Sequence, residues 1–295
     1  MWNSKFGRKN ILPTVVNGEA NDKLIANNFA THFLKTCSIN SKEKNDSFTK
    51  KLLHDFNCYV GDDVGIDKTI NVEIIDKIIN ELKLGKAAGL DSISAEHLKY
   101  AHPIITSVLS MLFDLMLKVN YVPDAFGMGM VIPIPKHESR RKGLSSDDFR
   151  GITISPVISK VFENCLLVMM KPYMETSEFQ FGVKKKFGCS NTIYTVRATV
   201  DHFTNNNATV NMCSLDLSKA FDKINHSALF LKLMERGLPK KLILILQCWY
   251  NKLFSVIKWK NCLSDPFHIT AGVRQGGILS PHLFAVFVDD VLLKL

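Results

Sequence analysis

A chain of 295 residues that is 46% hydrophobic and 22% charged holds the apolar material for one large or two ordinary globular domains. Its net charge of +9 favours a nucleic-acid or other polyanionic partner. The seven cysteines are odd in number and scattered without a Cys-x-x-Cys pair, which speaks against a disulfide framework or a zinc site and for a reducing intracellular compartment.

Met1 to Lys9 lack the apolar core of a signal peptide, so a protein that is not secreted is expected. Residues 1–70 are polar and patchy, with one helix-like stretch from Asp22 to Leu34, and read as a linker or peripheral cap. From Asn71 the pattern is regular. Val72, Ile75, Ile78, Ile79 and Leu82 recur at helical spacing behind a capping asparagine. Gly85 to Ile93 breaks that helix, and a second amphipathic helix is expected over Pro103 to Leu117. Val131-Ile-Pro-Ile-Pro135 is extended, because proline removes a donor and pushes its predecessor toward β geometry. Ser155-Pro156 opens a helix through Met170, with the serine as N-cap and the proline in the first turn. Another helix starts at Ser190, and Val210 to Leu217 reads as a strand. His226 to Arg236 is helical and stops at Gly237, and Pro239 launches the next helix through Tyr250. Phe254 to Lys260 and Phe267 to Thr270 form a hairpin around Ser264-Asp-Pro266. The densest apolar run, Leu242 to Leu246, is far short of the about 20 residues that span a bilayer, so no membrane partner is expected. The mix is α+β, with helices on an antiparallel sheet.

Chemistry concentrates in two segments. Ser214-Leu-Asp-Leu-Ser-Lys-Ala-Phe-Asp222 places Asp216 at the end of an apolar strand-like run. A strand end backed by a sheet is a sound place for an acid that binds a divalent cation, because hard cations need oxygen ligands fixed in space. The bland alternative is an acid capping the following turn. The second segment, Gly272-Val-Arg-Gln-Gly-Gly-Ile-Leu-Ser-Pro281, is a glycine-rich loop opening into a helix. Its glycines allow close backbone approach, and the helix start at Ser280-Pro281 is expected to offer N–H groups to anions. In this order and spacing the two segments resemble motifs A and B of the reverse transcriptases of non-LTR (LINE-type) retrotransposons. Gly89-Leu-Asp91, Lys136, Phe149-Arg-Gly-Ile152 and Gln180-Phe-Gly182 extend the likeness upstream. The resemblance covers roughly residues 70 to 295. One departure is Gly151, where many relatives have proline.

The resemblance implies a right-hand polymerase with 1–70 as a pre-fingers linker, 71–205 as fingers and 206–295 as a partial palm. It makes Asp216 a ligand of two Mg2+ ions, with the Leu217 carbonyl adding an oxygen to one. Phe221 falls at the sugar gate that excludes a 2′-hydroxyl, with a core aromatic as its alternative role. Gln275 and Gly276 would contact the incoming nucleotide and its template base. Lys136 and Arg150 would hold the triphosphate, the arginine bidentately and the lysine as a point charge. Asp222 is expected to be a structural hydrogen-bonder. Implied partners are an RNA template, a DNA primer and deoxynucleoside triphosphates. A group II intron-type enzyme and a non-catalytic nucleic-acid-binding remnant are the alternatives.

Phe287-Val-Asp-Asp290 looks like the Tyr-x-Asp-Asp box that supplies the other two carboxylates. Leu283, Phe284, Phe287, Val288, Val291 and Leu292 recur at helical spacing instead, which predicts a helix with both acids on its polar side. The expectation is therefore that the acidic pair and thumb are missing and that the chain by itself is inactive. His226 and Cys213 lie near Asp216 without a base beside them and receive no role.

Overall fold

Asparagine and serine side chains cap some of the helices, and prolines stand at the cap position of others. In the computed structural model, which describes residues 12–39, 41–61, 70–136, 144–184 and 186–293, helix α1 (Asp22–Thr36) begins where the Asn21 side chain accepts from the Lys23 and Leu24 N–H groups. Ser41 caps α2 (Lys42–Cys58), and Asn71 caps α3 (Val72–Glu81), which buries Ile75, Ile78 and Ile79. Next come α4 (Ala95–Lys99), α5 (Ile104–Val119) and α6 (Asp124–Gly127). Strands β1 (Met128–Pro135) and β2 (Phe149–Ile154) precede α7 (Val157–Met170) and α8 (Cys189–Asn205). The chain continues through α9 (His226–Glu235), α10 (Lys240–Tyr250), β3 (Phe254–Trp259), β4 (Cys262–Leu263), β5 (Phe267–His268) and α11 (Ser280–Leu293).

The five strands run in the order β2-β1-β3-β4, with β5 also paired to β3. β1 and β2 are antiparallel, with Met130 opposite Ile154 and Ile134 opposite Arg150. β1 and β3 are parallel, with Met128 opposite Phe254 and Val131 opposite Ile257. The sheet is thus mixed rather than wholly antiparallel, because β3 arrives by a long crossover through α7 to α10. The β3–β5 hairpin forms as expected, with a short β4 folded into it.

One continuous core runs from Val16 to Val286. On one side of the sheet, Phe29 of α1 meets Phe149 at 4.9 Å and Trp259 at 5.2 Å. Elsewhere Phe162 of α7 meets Phe113 of α5 at 5.0 Å and Trp249 of α10 at 5.6 Å. Residues before 70 are therefore more than a peripheral linker: α1 buries Ile25, Phe29 and Phe33 against the sheet. Segments on both sides of residue 205 feed the same core.

Two local expectations change. Pro156 takes the cap position of α7 and no side chain caps it; the Ser155 hydroxyl instead accepts from Arg274. Residues 210–217 belong to no strand, and Met212, Leu215 and Leu217 are exposed. A β conformation becomes a strand only when a ladder satisfies its backbone, and none does so here. The preceding α8 has no buried residue at all.

Candidate active site

Asp216 sits on this segment with an exposed side chain. Among the described residues it makes no hydrogen bond or ion pair. After it, Lys219 adopts a left-handed φ of 53° and starts the 3-10 turn Ala220–Lys223. The turn docks on the protein body through Phe221, whose ring stacks on Phe284 of α11 at 4.5 Å and 17°. Phe221 thus has one face occupied by its own chain and is only partly buried.

The glycine loop is laced to that turn. The Gly272 N–H donates to the Ile224 carbonyl at 2.7 Å and the Val273 N–H to the Phe221 carbonyl at 2.8 Å. His226 Nε2 lies 2.8 Å from the Gly272 carbonyl, so the neutral ring donates there. Burial pushes the His226 pKa down to about 4. Gly272 has φ +90°, and a Cβ would come within 2.7 Å of the Asp222 backbone. Gly276 has φ +118°, and a Cβ would meet the Thr153 carbonyl at 2.6 Å, because the Thr153 N–H donates to the Gln275 carbonyl at 2.8 Å. Only glycine fits such backbone approaches. The Gln275 side chain donates from Nε2 to Asp222 Oδ1 at 2.8 Å. Burial pushes the Asp222 carboxyl up, and the Gln275 hydrogen bond and the Lys219 and Lys223 charges oppose that.

Two buried charges hold this loop from behind. Arg274 donates to the Phe126 carbonyl at 3.1 Å, to Ser155 Oγ at 3.3 Å and to the Gly127 carbonyl. Glu163 accepts from the Leu279 N–H at 3.0 Å and from the Ile278 N–H. Burial pushes the Glu163 carboxyl up and pulls the Arg274 guanidinium down, and each charge partly offsets the shift of the other. Glu163 thus occupies the Ile278 and Leu279 N–H groups that lead into α11, so these two are not offered to an outside anion. A lone glutamate inside the apolar run of α7 was the signal available in the sequence.

The basic residues divide. Lys136 donates to the Asp147 carbonyl, and the Asp147 carboxylate lies 3.6 Å from Lys219 and 3.8 Å from His32. Lys136 therefore joins Lys219 at the edge of the motif A turn. Arg150 is exposed on β2 opposite Ile134, and among the described residues no hydrogen bond or ion pair ties it to this group. Behind it, a Cβ on Gly151 would come within 2.9 Å of Phe33; the α1 ring fills the space beside this residue. Lys136, Lys219, Phe221, Asp222, Gln275 and Gly276 thus form one connected cluster, and Asp216 and Arg150 stand outside its contacts.

Asp289 and Asp290 lie in α11, as the helical spacing predicts. Asp289 is not on a solvated face, however. It is 3% exposed and accepts from the Ser177 N–H at 3.0 Å, Gln180 Nε2 at 2.9 Å and Arg236 Nη2 at 2.8 Å. Burial opposes its charge, but the Ser177 and Arg236 interactions outweigh that and keep the carboxyl below its usual value. Asp290 pairs with Lys232. Both acids are therefore spent within the fold. Among the described residues no three His, Cys, Asp or Glu side chains gather as a metal site, and no helix is long and apolar enough to cross a membrane.

Residues 134–295 match the family described as reverse transcriptase (RNA-dependent DNA polymerase). The chain is 26% identical over 226 residues to the RNA-directed DNA polymerase from mobile element jockey of Drosophila funebris, covering 75% of this chain and 24% of that protein. It is 24% identical to the probable RNA-directed DNA polymerase from transposon BS of Drosophila melanogaster, covering 76% of this chain and 25% of that protein. The Pol polyprotein from the type-2 retrotransposable element R2DM of the same species is also 24% identical, over 72% of this chain and 20% of that protein. The chain spans about a quarter of the length of the first two of these relatives.

Proposed function

This chain belongs to the reverse transcriptase (RNA-dependent DNA polymerase) family, as a domain of the non-LTR, LINE type, and from that membership we propose that it supplies the nucleotide-binding half of an RNA-directed DNA polymerase. In this reading residues 71–205 serve as fingers, 206–295 as the part of the palm that carries motifs A and B, and 1–70 as the approach to the fingers. The observation that carries it is the lacing of the glycine loop to the turn that follows Asp216. Four backbone and side-chain hydrogen bonds of 2.7–2.8 Å join Phe221, Asp222, Ile224 and His226 to Gly272, Val273 and Gln275. Residues far apart in the chain thereby form one surface, edged by Lys136 and Lys219.

On that surface Gln275 and the exposed Gly276 backbone face the incoming nucleotide and its template base. Lys136 and Arg150 attract the triphosphate, the arginine with no side-chain hydrogen bond among the described residues. Phe221, stacked on Phe284, bars a 2′-hydroxyl sterically.

The family uses divalent metal, and the donor set fits Mg2+ in part. Asp216 has a carboxylate with no competing partner among the described residues, and the Leu217 carbonyl adjoins it. Mg2+ is commonly held by one or two carboxylates plus substrate phosphates and waters, so Asp216 and Leu217 would supply two of its oxygens. When bound, the metal would activate the attacking 3′-oxygen and stabilise the leaving pyrophosphate. Asp289 and Asp290 do not join it, since Arg236 and Lys232 already neutralise them. An RNA template, a DNA primer and deoxynucleoside triphosphates are the substrates this reading requires, in a reducing intracellular compartment suited to the free cysteines.

The test is primer extension on an RNA template by the full-length protein that carries this chain, with Asp216→Asn beside it. Losing one carboxylate of a two-metal site is expected to cost roughly three decades in rate. Near-normal extension by the Asp216→Asn protein would overturn the assignment and favour a nucleic-acid-binding role without turnover.

A further inference from the structure

Asp222 has no part in the metal chemistry assigned to Asp216, yet its half-buried carboxylate is committed to one side chain. Among the described residues its hydrogen-bond partner is Gln275 Nε2, at 2.8 Å. Anchoring the loop does not require this bond. The backbone bonds from Gly272 to Ile224 and from Val273 to Phe221 already fix the turn and the loop against each other. Of the lysines of the turn, Lys219 is drawn to Asp147 at 3.6 Å and Lys223 donates to the Ser38 carbonyl at 3.1 Å. The contact between Asp222 and Gln275 is therefore an addition to a frame that stands without it.

Its chemical content is directional. A primary amide donates at one end and accepts at the other, and which end faces a neighbour is decided by that neighbour. An ionised carboxylate only accepts. Asp222 thus selects the NH2 end of Gln275, and the carbonyl Oε1 must face the other way. Among the described residues no donor meets that oxygen. Gln275 itself sits between a backbone carbonyl pinned by Thr153 and an exposed glycine that hugs the end of β2. Little besides the Asp222 bond determines how its amide is turned.

We propose that Asp222 is a positioning residue, which holds the Gln275 amide with Oε1 presented to the incoming nucleotide, so that the site takes a hydrogen bond from a donor group of a deoxynucleoside triphosphate. The proposal rests on the reading of Gln275 as a nucleotide contact given above. Asparagine at 222 keeps the shape but can pair with Gln275 in either orientation, so the presented end is no longer selected. Alanine removes the partner and frees the side chain.

The experiment is steady-state primer extension on an RNA template by the full-length protein, with one nucleotide varied, for wild type, Asp222→Asn, Asp222→Ala, Gln275→Ala and Asp222→Asn/Gln275→Ala. Asp222→Asn is expected to raise the nucleotide KM about tenfold while kcat stays within about threefold, the size of a lost hydrogen bond made in binding. Asp222→Ala should match it. The double variant should be no worse than Gln275→Ala, because Asp222 acts only through that side chain. A wild-type KM for Asp222→Asn overturns the proposal, as do effects that multiply in the double variant. A fall in kcat and melting temperature at unchanged KM makes Asp222 a structural residue and overturns it too. If Asp222→Ala does not fold, the shape-preserving Asp222→Asn carries the test alone. Failure of the underlying reading looks different: Gln275→Ala then leaves the nucleotide KM unchanged, or Asp216→Asn keeps synthesis.

Discussion

The glycine loop with α11 and the arm formed by α8 and residues 206–217 are both rich in apolar residues, and the fold treats them oppositely. In the loop and helix, Leu279, Leu283, Ala285 and Val286 are buried, and the charges of Arg274, Glu163 and Asp289 each find several partners. In the arm, Leu215 is 72% exposed and Tyr194 73%, and α8 buries nothing. The contrast separates the two tasks proposed for this chain. The groups proposed to receive the nucleotide are positioned by contacts within these residues. Asp216, the proposed metal ligand, rides on backbone that no neighbour among the described residues holds. Precise metal chemistry demands ligands fixed to within a fraction of an ångström, so Asp216 needs a sheet to dock on before it can work.

The sharpest way to break this contrast is to attack the loop's buried charges. Glu163→Ala leaves Arg274 without its compensating charge and orphans the Ile278 and Leu279 N–H groups. Leaving two N–H groups of the loop unsatisfied costs about 1–3 kcal/mol each, and Arg274→Met, which strips the Phe126 and Gly127 carbonyls and Ser155 of their donor, should cost a similar amount. Urea unfolding of the two single variants and the double variant measures both, and the double should cost less than the sum. Unchanged midpoints would mean that the loop is no better held than the arm.

A second, smaller effect comes from His226, the ring that ties α9 to Gly272. Its folded pKa is depressed to about 4 by burial, below the usual value near 6.5. The sign follows directly: folding favours the neutral ring, so its contribution is fully present above about pH 6.5 and is lost as pH falls toward 4. With allowance for partial exposure, the loss should reach roughly 2 kcal/mol. His32 and His282 shift in the same direction and add to the slope. Thermal melts between pH 7 and 4 should show a shallower decline for His226→Gln than for wild type, and parallel declines would remove His226 from the account.

Much of this was legible in the sequence, for local reasons. Helices α3, α5, α9 and α10 announce themselves through apolar spacing, capping residues and the Gly237 and Pro239 punctuation, all of which act within a few residues. The helix through Asp289 was legible in the same way. What escaped was pairing at a distance. Nothing in a local pattern links Glu163 to Leu279, 116 positions away, or sets β3 parallel to β1, or shows that Arg236 reaches Asp289 across 53 positions. The role of α1 escaped because Ile25, Phe29 and Phe33 are diluted in a polar stretch, and only the sheet they cover reveals their purpose. The arm misled in the other direction. Its apolar run reads as a strand, but a strand is a property of two segments, and the partner segment is what the pattern cannot supply.

The smallest expected effect tests the arm itself. Met212, Leu215 and Leu217 already lie in water, so replacing Leu215 and Leu217 by serine removes almost no buried area and leaves the transfer term near zero. The 295-residue protein carrying Leu215→Ser and Leu217→Ser should therefore unfold within about 0.5 kcal/mol of wild type, as surface substitutions do. It should also aggregate less, because an unpaired segment with apolar side chains is a template for intermolecular pairing. Urea unfolding gives the first quantity and light scattering against concentration the second. A loss of more than about 2 kcal/mol in the 295-residue protein would be the size expected for buried leucines. It would mean that the arm packs against the body in solution, and the division between a held nucleotide site and an unheld metal ligand would fall with it.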